Sequence, residues 1–130
     1  MFFLFAINVF AQWKQHESIP KISNVPSIYV DGNNIYAGAD SIIYLSGDYG
    51  KNWTASSRIA EDVDFVSAVI KYQNKIFAGT YNFGVFVSDD NGNSWTQINN
   101  GLNGAGSTTI SDFVVRGDSL YAGTYGSGIF

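Results

Sequence analysis

The side chains that could do chemistry are few and scattered. His16 is the sole histidine, Arg58 and Arg116 are the two arginines, and there is no cysteine. Without thiols, neither a disulfide framework nor a thiolate metal site can form in this span. His16 falls in a proposed outer strand, where a histidine is exposed or structural rather than catalytic. Glu61, Asp62 and Asp64 sit together in one stretch, which fits solvated loop charge or, more sharply, weak Ca²⁺ binding. Asp89-Asp90-Asn91-Gly92 does not continue into a Ca²⁺ loop, because the ladder of alternating ligands and the terminal Glu are missing. Gly101-Leu102-Asn103-Gly104-Ala105-Gly106 has neither the Gly-Lys-Ser/Thr ending of a phosphate loop nor a following helix. Asn52-Trp53-Thr54 is a formal glycosylation sequon, but it lies inside a tight turn where a glycan would clash. No catalytic residue, metal site or cofactor is expected from these residues.

The elements that carry them are strands. Of 130 residues, 45% are hydrophobic and 16% aromatic, while only 14% are charged. That charge is low against the usual ~25%, and the hydrophobicity argues against disorder. Fourteen glycines supply turns for many short strands. The formal net charge is −4 with no Lys/Arg cluster, so a nucleic-acid partner is not expected.

Met1–Ala11, MFFLFAINVFA, is almost wholly apolar and is followed by Gln12. It is too short to span a bilayer, which takes about 20 residues. Val9 and Ala11 fit the small-residue cleavage pattern, so residues 1–11 read as a signal-peptide-like segment cut before Gln12. The basic start of such a segment is missing, since Phe2 follows Met1 directly. The alternative is a buried first strand. The expectation is an exported protein, secreted or at the cell surface and bacterial, with no membrane span in the mature chain.

Three blocks align without a gap: Val25–Ala39, Val66–Thr80 and Ile110–Thr124, offset by 41 and 44 residues. Each ends in an aromatic followed by Ala-Gly: Tyr36, Phe77 and Tyr121. A period near 42 suits propeller blades or longer helical repeats, and turn residues every 8–12 positions exclude the helices. The second unit parses into Val66–Tyr72, Lys75–Thr80, Gly84–Ser88 and Ser94–Ile98, a four-stranded antiparallel meander. The first repeats it at Ser27–Asp31, Asn34–Ala39, Ile42–Ser46 and Asn52–Ser56. The fold class expected is therefore all-β, a β-propeller in an incomplete ring. Residues 25–57 form blade 1, 64–99 blade 2 and 109–130 part of blade 3. On this reading 12–130 is the N-terminal fragment of a propeller, and further C-terminal blades of the same protein are its partners. Trp13, Trp53 and Trp95 keep one register, so residues 13–17 are expected to close the ring as an outermost strand; the alternative is a strand packed beside blade 1.

Within each full unit the third and fourth strands are joined by Ser-x-Asp-x-Gly-x-x-Trp. The residues are Ser46, Asp48, Gly50 and Trp53, then Ser88, Asp90, Gly92 and Trp95. This motif resembles the Asp box, or bacterial neuraminidase repeat, of sialidase-like, sortilin-type and photosystem II assembly factor-like propellers. The resemblance implies a structural role: the Asp and Ser satisfy turn amides, the Gly allows positive φ, and the Trp covers the hairpin base between sheets. It also places ligands on the face away from the Asp boxes, where Tyr81, Asn82 and Tyr125 are the candidate rim residues. Aromatics beside amides suit a glycan or peptide; the alternative is that they merely shield blade ends. A sialidase-like site would need an arginine triad, a Tyr/Glu pair and an acid, which Arg58 and Arg116 cannot supply from different blade positions. The function implied is a non-catalytic binding or assembly scaffold, with a secreted sialidase-like or other propeller glycoside hydrolase as the alternative.

Overall fold

The computed structural model describes residues 24–130. The segment 1–11, the proposed strand 13–17, Trp13 and His16 lie outside the described residues. Each sheet forms because short runs of β-branched and aromatic residues alternate across turns that need positive φ. In the first, β1 (Ser27–Asp31), β2 (Asn34–Ala39), β3 (Ile42–Ser46) and β4 (Thr54–Ala55) pair in sequence order. The second repeats this with β5 (Val66–Tyr72), β6 (Lys75–Thr80), β7 (Gly84–Ser88) and β8 (Thr96–Gln97). The third contains β9 (Ile110–Arg116), β10 (Ser119–Thr124) and β11 (Gly128–Ile129). The described chain is thus all-β, with antiparallel sheets of four, four and three strands, none closed on itself.

The inner strands match the expected bounds, but the outermost ones are shorter. Asn52 and Ser94 give their backbone N–H groups to the carboxylates of Asp48 and Asp90 rather than to a neighbouring strand. Pairing resumes at Thr54 and Thr96, opposite Leu45 and Val87, and ends where the amides of Ser56 and Ile98 reach the carbonyls of Ile43 and Val85. The first strand of sheet 1 also starts late. Val66 and Ile110 pair with Thr80 and Thr124, whereas β1 begins at Ser27, directly after Pro26, which has no N–H to donate.

The sheets stack in order and approach each other through their first two strands: β1 and β2 meet β5, and β5 and β6 meet β9. Ser27 and Ser67 fasten these inner strands, the first accepting from the Val69 amide and the second donating to the Ile110 carbonyl. Glycine makes the approach possible. A Cβ on Gly38 would lie 2.8 Å from Val66 Cγ1, and one on Gly79 would lie 2.5 Å from Ile110 Cγ2.

Two apolar clusters fill the spaces between sheets. Tyr36 and Ile43 of sheet 1 meet Val69, Ile76, Ala78 and Phe86 of sheet 2. Ile70 and Val85 on the other face of sheet 2 meet Ile110, Phe113 and Ala122 of sheet 3. The link between the first two sheets keeps Glu61, Asp62 and Asp64 exposed, as solvated loop charge would be, while Ile59 and Val63, 5% and 0% exposed, plug the first cluster.

Candidate functional site

The two ends of the sheets differ in kind. At one end lie the Asp turns, the first of them anchored to the β1–β2 turn, since Tyr49 N–H donates to the Asn33 carbonyl at 2.9 Å. In the first turn the Ser46 hydroxyl donates to Asp48 at 2.9 Å and accepts from the Gly50 amide at 2.9 Å. Asp48 also accepts from the Asn52 backbone at 2.9 Å and from its side-chain amide at 2.6 Å. The second turn repeats the set. Ser88 donates to Asp90 at 2.7 Å and accepts from Gly92 N–H at 2.8 Å, and Ser94 supplies both its amide and its hydroxyl to Asp90. Gly50 and Gly92 hold φ of 83° and 85°, the left-handed region that favours glycine. The Asn52 nitrogen that a glycan would require is thereby engaged with Asp48.

These bonds favour the ionised carboxylates. The Asn52 backbone amide, then its side chain, pulls Asp48 down to about 2. The Ser94 hydroxyl, then the Ser94 amide and Ser88, does the same for Asp90, also to about 2. A depressed folded-state pKa contributes stability that is fully present above the ordinary carboxylate value of about 4 and is lost as pH falls through about 2. The melting temperature of the wild-type chain should therefore drop between those pH values. A double variant Asp48→Asn/Asp90→Asn should drop less over the same range, as followed by circular dichroism.

The tryptophans that close the two turns are not equivalent. Trp53 Nε1 donates to the Gly50 carbonyl at 2.9 Å, and its ring lies on the outer face of sheet 1 with Ala37, Ala39 and Tyr44. Trp95 packs against the cluster between sheets 1 and 2, and its buried Nε1 has no partner. The reason is local. The Gly92 carbonyl, which corresponds to Gly50, already accepts from the Ser57 amide at 2.8 Å and the Ser57 hydroxyl at 3.0 Å. The link leaving sheet 1 thus docks on the Asp turn of sheet 2.

At the opposite end lie Tyr81, Asn82 and Tyr125, all exposed. Tyr81 and Phe65 line a shallow apolar concavity of about 350 Å³. Asn82 turns inward: its carbonyl oxygen accepts from the Thr109 hydroxyl at 2.9 Å, and its backbone amide donates to the same hydroxyl. Tyr125 N–H donates to the Thr109 carbonyl at 2.9 Å. Thr109 therefore joins Asn82 to the Tyr125 backbone, while the Tyr81 and Tyr125 rings are 56% and 77% exposed. Sequence reasoning missed Phe65 and Thr109. Each precedes the aligned blocks by one position, a repeat feature that a wider alignment window would have included.

Elsewhere the charged residues serve the links. Arg58 donates to the carbonyls of Ala60, Glu61 and Val63 and pairs with Asp64 at 3.5 Å. Among the described residues no three His, Asp or Glu side chains converge as a metal site. No helix among them is long and apolar enough to cross a membrane.

No protein-family model and no curated protein matches the chain. Among solved structures, the crystal structure of the computationally designed Ika4 protein is similar, with 8% identity over 92% of this chain and 93% of that one and a TM-score of 0.46.

Proposed function

We propose that this chain is a non-catalytic binding or assembly scaffold built as a β-propeller of the Asp-box type. The observation that carries the reading is the repetition of one turn. Two Ser-x-Asp-x-Gly-x-x-Trp segments make the same hydrogen bonds at the same end of consecutive four-stranded sheets. The approach of neighbouring sheets through β1, β5 and β9 supports a radial arrangement with first strands innermost. Export to the cell surface or medium rests on the apolar pattern of residues 1–11.

The ligand surface is the rim opposite the Asp turns. Tyr81 offers an aromatic face beside Phe65, and Tyr125 offers a second exposed ring. Stacking on such rings with hydrogen bonds to nearby turn groups suits a glycan or an extended peptide. The test is amide chemical-shift mapping with a panel of sialylated and neutral oligosaccharides and extended peptides. A binder should shift Phe65, Tyr81, Asn82 and Tyr125 while sparing the Asp turns, and Tyr81→Ala should weaken it by about tenfold or more. Shifts confined to the Asp turns, or binding indifferent to Tyr81→Ala, would overturn the assignment. Turnover of fluorogenic glycosides by the purified chain would favour a hydrolase instead.

A further inference from the structure

The sequence holds three Asn-Gly pairs, Asn91-Gly92, Asn100-Gly101 and Asn103-Gly104, in one stretch from the second Asp turn to the link into sheet 3. Asparagine is thermolabile, and a following glycine leaves the backbone nitrogen unshielded, so that it can attack the asparagine side-chain carbonyl. The reaction needs that nitrogen free of other partners and the side chain free to reach it. The fold holds the three pairs differently.

Asn91 and Gly92 are the central residues of a turn closed by the Asn93 amide on the Asp90 carbonyl, with φ of 58° and 85°. Gly92 is buried and its N–H donates to Ser88 Oγ at 2.8 Å, so the nitrogen is engaged. Asn100 and Gly101 are the centre of another turn, closed by the Leu102 amide on the Asn99 carbonyl at 3.0 Å. Here only Gly101, at φ 94°, is left-handed, the type II pattern, and the closing bond does not use the Gly101 N–H. That N–H has no hydrogen bond among the described residues, a Cβ built on Gly101 meets nothing within 4 Å, and both residues are exposed. The base of the turn is fixed, since the Asn99 side chain accepts from the Val85 amide and donates to the Phe83 carbonyl, each at 2.9 Å. Asn103-Gly104 is intermediate. It is exposed, but the Gly104 carbonyl accepts from both the amide and the hydroxyl of buried Ser107.

We infer that Asn100 is a site of spontaneous covalent modification, converting to aspartate and isoaspartate through a cyclic imide with Gly101, while Asn91 is protected by its turn. The Gly101 nitrogen loses its proton to solvent base and attacks Asn100 Cγ. The new C–N bond forms as the bond to the side-chain NH₂ breaks, and that group leaves as ammonia with a proton from solvent. Water then adds to either carbonyl of the imide and returns a proton to the nitrogen, opening the ring. Each event adds one negative charge to a chain of net charge −4. The isoaspartate product also lengthens the backbone of the link that carries Thr109, which joins Asn82 to Tyr125. The inference stands on turn geometry and is independent of any ligand at the rim.

Ageing the 130-residue chain in mildly alkaline buffer near body temperature tests this, with the three asparagines followed separately by fragment-ion mass spectrometry. Asn100 should react first, at least about tenfold faster than Asn91, which must wait for its turn to open locally. In strong urea the protection disappears, and Asn91 should react about as fast as Asn100. Ser88→Ala frees the Gly92 amide and should raise the Asn91 rate toward its unfolded value without changing that of Asn100, with far-UV circular dichroism confirming the fold. The folded and urea-unfolded wild types carry the test without that variant. Asn100 persisting in the folded chain while the unfolded chain loses it, or Asn91 reacting as fast as Asn100 in the folded chain, would each overturn the inference.

Discussion

Gly79→Val is expected to destabilise the fold by about 3 kcal/mol, whereas Gly123→Val at the aligned position should stay within about 0.5 kcal/mol. Both glycines follow an aromatic and an alanine in a strand, and neither needs positive φ. They differ in what lies above them. A Cβ on Gly79 would meet Ile110 Cγ2 at 2.5 Å and Ile110 Cβ at 2.7 Å, with Phe113 Cε2 at 3.1 Å. Ile110 is fully buried and stiff at χ1, so it cannot rotate away, and sheet 3 would have to lift from sheet 2. At Gly123 the added side chain points into open space, and valine suits an extended backbone. Urea melts would measure both.

Phe86→Ala should have the larger effect, about 3–5 kcal/mol. Phe86 is 6% exposed in the cluster that joins sheet 1 to sheet 2 and is paired across the sheet with Ala78. Its removal leaves a cavity bounded by stiff neighbours, including Val69 and Ile76, that relax only partly. Trp95 packs against the same cluster, so its fluorescence should move toward that of an exposed indole as the interface loosens. An unchanged melting midpoint would show that Phe86 does not carry this interface.

The strands could be read from the chain because each core strand alternates β-branched or aromatic residues and each turn uses Gly, Asn or Asp. The Val66–Tyr72 and Lys75–Thr80 pair is separated by Gln73-Asn74, and both turn residues take positive φ in the structure. The turn bonds of Asp90 and Ser88 follow from short side chains that reach nearby amides. What could not be read depends on partners distant in sequence. The different bonding of Trp53 and Trp95 hangs on Ser57, which lies 35 residues from the Gly92 carbonyl it occupies. The burial of Ile59 and Val63, in a segment rich in Asp and Glu, depends on packing against residues of both sheets such as Tyr36 and Phe86. Asn82 looked like a free amide at the rim, but Thr109, 27 residues on, engages it.

On the proposed reading the Asp turn holds the fold rather than meeting a ligand. Amide hydrogen exchange of the Asp90→Ala variant tests this most directly. Faster exchange is expected at Ser94, whose amide donates to Asp90, together with a lowered melting temperature and unchanged ligand binding by the folded fraction. Unchanged protection at Ser94 and an unchanged melting temperature, with binding lost, would contradict it and move the functional site to the Asp turns.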